Sequence, residues 1–199
     1  MAKQLRSEMI YIAPSIKGRI NENGEYEVID EKTGYTLNPR LIDDKILIFE
    51  RQVKEWFLNR ASRLQRGKNN GFIILMIGLS YIEGIEECKS GVSSLHKSKI
   101  YFKRGISRIF SISEDSTNLD DFYDQVRCGL FHSGMTRKKV IINSTFDDPV
   151  DFSESDTIKI NPKKFIHEIR LDFNRYIKKL KNKKNIDERH KFDRIFSNI

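Results

Sequence analysis

Apolar side chains recur at helical spacing along most of this chain. From Leu41 to about Arg66 they fall at Leu41, Ile42, Ile46, Ile48, Phe49, Val53, Trp56, Phe57 and Leu64, with charges on the other face. That pattern predicts one long amphipathic helix. Gly67-Lys68-Asn69-Asn70-Gly71 breaks it, and it is not a phosphate-binding P-loop, because no Lys-Ser/Thr follows the second glycine. Phe72 to Cys88 is apolar nearly all round and then polar, as in a helix that crosses a core and emerges. Ile100 to Phe110 is helical by pattern and carries Lys103, Arg104 and Arg108 on neighbouring turns. A further helix starts near Leu119, with Thr117 or Asn118 as its cap, and Gly134 ends it. Asn161-Pro162 opens a last long helix with proline in its first turn. Phe165, Ile166, Ile169, Phe173, Tyr176, Ile177 and Leu180 form its core stripe, and Phe192, Ile195 and Phe196 predict a short docked helix after it.

Strand signals are sparse. Residues Ile20 to Ile29 read as a β-hairpin turned at Asn23-Gly24, since a type I′ turn needs positive φ at both central positions. Lys139–Asn143 and Thr157–Ile160 read as two short strands around Asp147-Asp148-Pro149, forming a small hairpin beside the helices. The pattern therefore predicts a mainly α fold, a helical bundle with small β-hairpin decorations. Residues 1–40 form an N-terminal hairpin-like appendage, 41–182 the helical domain and 183–199 a basic C-terminal tail.

Composition narrows the partners. The 199 residues carry a formal charge of +8 and a pI near 9.4. Residues 163–199 hold 12 Lys/Arg against 5 Asp/Glu, a net of +7, so the rest of the chain carries only +1. A basic protein favours polyanions: nucleic acid, or an anionic membrane surface. Cys88 and Cys128 both sit in apolar helical patterns, which reads as reduced thiols in a cytoplasmic protein. Met1 to Glu8 is polar, so no signal peptide is expected. The longest apolar run, Phe72–Leu79, falls far short of the ~20 residues that span a bilayer, and no membrane association is expected.

The chemistry concentrates in Asp124-Gln125-Val126-Arg127-Cys128-Gly129-Leu130-Phe131-His132-Ser133-Gly134. Five helical residues place Arg127 and His132 ~7.5 Å apart in rise and about 140° apart in rotation, flanking a groove. A glycine in mid-helix costs about 1 kcal/mol against alanine, so Gly129 predicts close approach of a partner helix or a phosphate backbone. His132 lies in the last turn, where helix carbonyls favour a protonated imidazole and Arg127 opposes it, a balance suited to acid–base work. Arg and His together suit metal-free attack on an RNA phosphodiester: the imidazole moves protons while the guanidinium holds charge on the phosphoryl oxygens. In the other reading of the same residues, Arg127 pairs with Asp124 or Glu83 and His132 caps the helix end. Glu83, just past the apolar run, is expected to be paired. Asp115, Asp120, Asp121 and Asp124 fit helix-dipole neutralisation better than a metal site. His96, His167 and His190 lack ligand spacing, so neither metal nor cofactor is predicted.

The segment Val126-Arg127-Cys128-Gly129-Leu130-Phe131-His132, preceded by the apolar helix with Tyr81-Ile82-Glu83-Gly84, resembles the HEPN family (higher eukaryotes and prokaryotes nucleotide-binding) over residues 41–182. The family's mark is Arg, four to six residues, then His on a late helix of a small bundle. The resemblance implies a homodimer with two Arg–His motifs lining one cleft. It implies a metal-independent endoribonuclease of phage defence, toxin–antitoxin or stress systems, leaving 2′,3′-cyclic phosphate and 5′-OH ends. Some members are instead inactive RNA-binding or dimerisation modules, and an antitoxin or regulatory protein is a further implied partner. Arg127 and His132 match the motif as catalytic residues. Cys128 stands where the family often has Asn, Asp or His. Glu83, Cys128 and Gly129 beside the motif, with Lys103 and Arg104 on the preceding helix, complete the expected RNA-binding set.

Overall fold

The structure is a computed structural model and describes residues 5–196. Residues 1–4 of the polar N-terminal stretch and 197–199 of the tail lie outside the described residues. The chain divides into two compact units, each assembled from separate stretches.

The first unit takes the chain up to Phe57, Cys88–Ser93 and everything from Arg175 onward. Strands β1 (Ile10–Ala13), β2 (Ile16–Ile20), β3 (Tyr26–Asp30) and β4 (Thr36–Leu37) form an antiparallel sheet in sequence order. Alternation along the strands buries Ile16, Val28 and Leu37 while leaving Tyr11 and Ile29 exposed. The hairpin predicted at Asn23-Gly24 is β2–β3, but only Gly24 has positive φ, at 77°. The connection is a wider loop tied by the Asn21 carboxamide oxygen, which accepts from the N–H groups of Asn23 (3.0 Å) and Glu25 (2.9 Å). Asp30 closes the sheet's inner face. Its carboxylate accepts from both Arg51 Nη1 and Nη2, at 2.5 and 2.6 Å, and from the Lys32 N–H and Thr33 hydroxyl, each at 2.9 Å. The Arg51 bonds outweigh burial and hold its pKa down at about 2.

Helix α1 (Ile42–Arg51) continues in sequence into a π-helical stretch, Gln52–Leu58, and then, within the second unit, α2 (Asn59–Leu64); together they cover the long amphipathic helix expected. Buried Gln52 donates to the Ile12 carbonyl at 2.7 Å, so the helix is stitched to β1. The predicted C-terminal helix is α8 (Ile186–Phe196). Its Phe192 and Phe196 rings lie 5.2 and 6.1 Å from Phe49.

The second unit takes Leu58–Glu87 and Ser94–Asn174. It is built from α3 (Gly71–Ser90), α4 (Ser98–Phe110), α5 (Thr117–Phe122), a π-helical turn (Tyr123–Cys128), α6 (Gly129–Ser133) and α7 (Pro162–Lys181), the two long helices running on beyond the unit's bounds. The cap of α5 is Ser116, one residue before the expected position; its hydroxyl accepts from Asn118 N–H. Strands β5 (Val140–Ile142), β6 (Val150–Asp151) and β7 (Ile158–Ile160) form a second sheet in the order β5-β7-β6. The expected β5–β7 hairpin is absent: those strands are parallel, and β6, which the sequence pattern missed, pairs antiparallel to β7. Buried Asn161 explains the arrangement. Its amide donates to the carbonyls of Ser144 (3.0 Å) and Phe146 (2.7 Å), and its oxygen caps α7 through Lys163 and Lys164 N–H.

Phe122 and Phe165 lie at the centre of this unit's core, Phe122 against Phe102 and Phe152, Phe165 stacked on Phe110. A charged network crosses it. Arg108 Nε lies 2.8 Å from Glu86 Oε1, and Arg108 Nη1 bonds to Asp172, which also accepts from the Tyr81 hydroxyl at 3.0 Å. Burial, then Asp172, pushes the Tyr81 phenol far up.

Helix makes up about 54% of the described residues, beside two sheets of four and three strands. The fold is thus a mixed α/β one, correcting the expectation of a mainly α, HEPN-like bundle with small hairpin decorations. The reason is physical. The missed strands are two to four residues long, too short to show alternation, and β5 finds its partner only across an intervening strand. Among the described residues no helix is long and apolar enough to cross a membrane.

Candidate functional site

Arg127 belongs to the π-helical turn, not to a regular helix. A π turn carries one extra residue and so releases a carbonyl from the ladder. Here the Gln125 carbonyl accepts the Arg137 N–H at 2.8 Å, from the segment that returns after α6. Gly129 makes that return possible. A Cβ there would meet the Met135 carbonyl oxygen at 2.7 Å and the backbone of Arg137 and Thr136 at 3.2 Å. The close approach predicted at Gly129 therefore exists, but the chain's own backbone makes it. Gly129, which the sequence placed in the RNA-binding set, is buried under that segment. Gly134, with φ of 70°, ends α6 and starts the return, as expected.

Glu83 reaches Arg127 from α3. Arg127 Nε lies 2.7 Å from Glu83 Oε1 and Nη2 lies 3.2 Å from Oε2, a two-point pair. Of the two carboxylates offered by the sequence, Glu83 is the partner. The Ser98 hydroxyl, at the start of α4, donates to Glu83 Oε2 at 3.0 Å and fixes the acid from behind. Both charged side chains are less than a fifth exposed. Aromatic rings one turn to either side flank the guanidinium, with centroids 5.5 Å away for Tyr123 and 5.0 Å for Phe131. Burial works most strongly against the Arg127 charge, but the Glu83 hydrogen bond and charge, with smaller contributions from Tyr123 and Cys128, together outweigh it and raise its pKa. Burial pushes the Tyr123 phenol up; Arg127 opposes that, while Cys128, whose thiol is within hydrogen-bonding reach of Tyr123, adds to it.

His132 lies on α6, just over one turn beyond Arg127. It is exposed, and among the described residues it makes no hydrogen bond or ion pair, so it does not cap the helix. Phe131 (40% exposed) and Met135 (56%) flank it. Cys128 is a half-buried free thiol. Lys103 and Arg104 are employed elsewhere. Lys103 pairs with Asp120 at 3.0 Å, and Arg104 lies over the Tyr101 ring at 5.5 Å. Neither forms a hydrogen bond or ion pair with Arg127 or His132.

Two of the acidic residues ahead of the motif are paired. Asp120 pairs with Lys99 and Lys103, and Asp121 with Lys139. His96, His167 and His190 are all exposed. Among the described residues no three of His, Cys, Asp and Glu gather as a metal site.

The structure thus brings together Glu83, Arg127 and Cys128, with His132 in the next turn. Sequence reasoning missed Ser98, Tyr123 and Phe131. The spacing of Tyr123, Arg127 and Phe131, four residues apart each time, was the available signal for the rings. Compared with protein-family models, with curated proteins and with solved structures, the chain matches none.

Proposed function

We propose that this chain is a metal-independent endoribonuclease whose Arg127 and His132 carry the chemistry, as the resemblance of its motif to the HEPN family implies. One observation carries the reading: a guanidinium held by Glu83 and two rings, one turn from an unengaged, exposed imidazole. Preorganised charge of this kind is what a transferring phosphoryl group requires. His132 removes the proton from a ribose 2′-OH, and that oxygen attacks phosphorus. The bond from phosphorus to the 5′-oxygen breaks, and an imidazolium protonates the leaving oxygen. The products are a 2′,3′-cyclic phosphate and a 5′-OH. Arg127 stabilises the charge that builds on the non-bridging oxygens. The protein acts in the cytoplasm as a homodimer, restrained by an antitoxin or regulatory protein. Exposed Phe131 and Met135 beside the motif supply apolar surface for pairing.

A second reading has its own observation. Glu83 takes up both the Nε and Nη2 donors of Arg127, which suits a non-catalytic RNA- or partner-binding module. Incubation with RNA in EDTA, followed by mapping of the ends, separates the two. Cleavage that vanishes in folded Arg127→Ala and His132→Ala, and at a 2′-deoxy position, supports the enzyme. Intact RNA retained by the wild type supports the module.

A further inference from the structure

Between Asp172 and Asp187 the chain contains six cations and no carboxylate: Arg175, Lys178, Lys179, Lys181, Lys183 and Lys184. They occupy the last turns of α7 and the bend into α8, all within the first unit. The carboxylates that reach them are already shared. Glu50 pairs with Lys181 at 2.5 Å but also with Lys54 at 2.7 Å, and Asp43 pairs with Lys183 at 3.3 Å but also with Arg189 at 2.7 Å. Glu188 only approaches Lys179, at 4.0 Å. Three acids thus face eight cations, and Arg175, Lys178 and Lys184 form no ion pair among the described residues. Lys183, although paired, keeps 80% of its side chain exposed and Lys179 keeps 63%.

The bend is also tied by side-chain hydrogen bonds. Arg189 Nη1 donates to the Leu180 carbonyl at 2.6 Å and Asn185 Nδ2 to the Lys179 carbonyl at 2.9 Å, so the end of α7 is closed by side chains. Phe173, Tyr176, Ile177 and Leu180 face the interior, which leaves the outer surface cationic. From residue 173 to 186 the only large apolar side chain exposed is Ile186. A helix that lies in a membrane interface needs a row of apolar anchors; a phosphodiester backbone needs only ordered cations.

We propose that the α7–α8 bend is a sequence-independent binding surface for the sugar–phosphate backbone of single-stranded RNA, separate in residues from the Arg127 motif. It rests on the functional reading above only for the class of ligand. The test is fluorescence anisotropy of the full chain with labelled single-stranded 2′-O-methyl RNA, which lacks the attacking hydroxyl, over a series of salt concentrations. Substituting Arg175→Gln, Lys178→Gln and Lys184→Gln removes exposed charge without touching the core. At about 0.7 units of slope per phosphate contact, the triple variant flattens the salt dependence by about 2 and weakens binding roughly tenfold or more at physiological salt. The swaps Arg175→Lys, Lys178→Arg and Lys184→Arg preserve binding. A null cleavage assay with binding intact sinks the nuclease and leaves this surface standing. Unchanged RNA affinity in the triple variant overturns the surface. So does binding of the wild type to phosphatidylserine vesicles but not to RNA.

Discussion

Arg127 and Glu83, forty-four positions apart in sequence, meet in a two-point ion pair that both defines the candidate site and restrains it. A phosphate entering the site must compete with a carboxylate for the same donors. Glu83→Gln keeps the shape and removes the charge. If Arg127 serves phosphate, the variant binds RNA a few-fold tighter, while kcat falls because the guanidinium is less well held. Separate determination of KM and kcat reads both effects. Loss of the charged bonds also lowers stability by about 1.5–3 kcal/mol, measurable by urea titration. A variant with unchanged KM and kcat would show that Arg127 has no part in catalysis.

Gly129 and Gly84 make an opposed pair. Both lie in helical segments, where alanine gains about 1 kcal/mol over glycine. At Gly84 a Cβ meets nothing within 4 Å, so Gly84→Ala stabilises by about that amount. At Gly129 the Cβ meets backbone at 2.7 and 3.2 Å, and backbone cannot swing aside. Overpacking costs of about 1–3 kcal/mol exceed the helical gain. Gly129→Ala therefore destabilises, and the loss of the Arg137–Gln125 bond shows as faster amide exchange at Arg137. Thermal melts of the two variants should move in opposite directions.

The same glycine shows how far the sequence could be read. Gly129 announced a close approach, and the approach is real, but nothing local in the sequence names the body that makes it. The return of Met135–Arg137 depends on a carbonyl released by the π turn, and no side-chain pattern marks a π turn. The long helices were legible because Phe165, Ile169, Phe173 and Tyr176 repeat at helical spacing over many turns. The sheets were not. β6 is two residues, Val150–Asp151, and the segment leading into it is tied by Asn161, whose side chain reads in sequence only as a helix cap. At the site, Arg127 and His132 stood out as residue types, and Glu83 was visible as a charge too costly to bury alone. Ser98 and the two rings act through contacts that appear only once α3, α4 and α6 are packed.

Asp30 sets an acid limit on the first unit. It is 1% exposed, and its pKa of about 2 lies below the ordinary carboxylate value of 3.8 because Arg51 holds the ionised form. A folded pKa below the unfolded one adds stability above the unfolded value, lost as pH falls through the folded one. The contribution is about 2 kcal/mol above pH 4 and fades between pH 4 and pH 2. Asp30→Asn should be less stable than wild type at pH 6, and the two should converge on acidification through that window. Urea titrations of both proteins across this range give the comparison, and parallel curves would refute the linkage.

The network around Arg108 predicts a larger effect in the second unit. Glu86 and Asp172 are each about 3% exposed, and Arg108 is the cation that bridges them. Arg108→Ala leaves two buried carboxylates facing a vacated guanidinium site. Breaking a buried pair from one side typically costs about 3–5 kcal/mol. Neutral replacement of the whole network should cost less, because no charge is then left unmatched. In Arg108→Met/Glu86→Gln/Asp172→Asn the Tyr81 hydroxyl still finds an amide oxygen at position 172. The triple variant should therefore be more stable than Arg108→Ala alone, despite carrying three changes. A triple variant less stable than the single one would mean that Arg108 contributes through its packed stem, and that the charges it bridges are secondary.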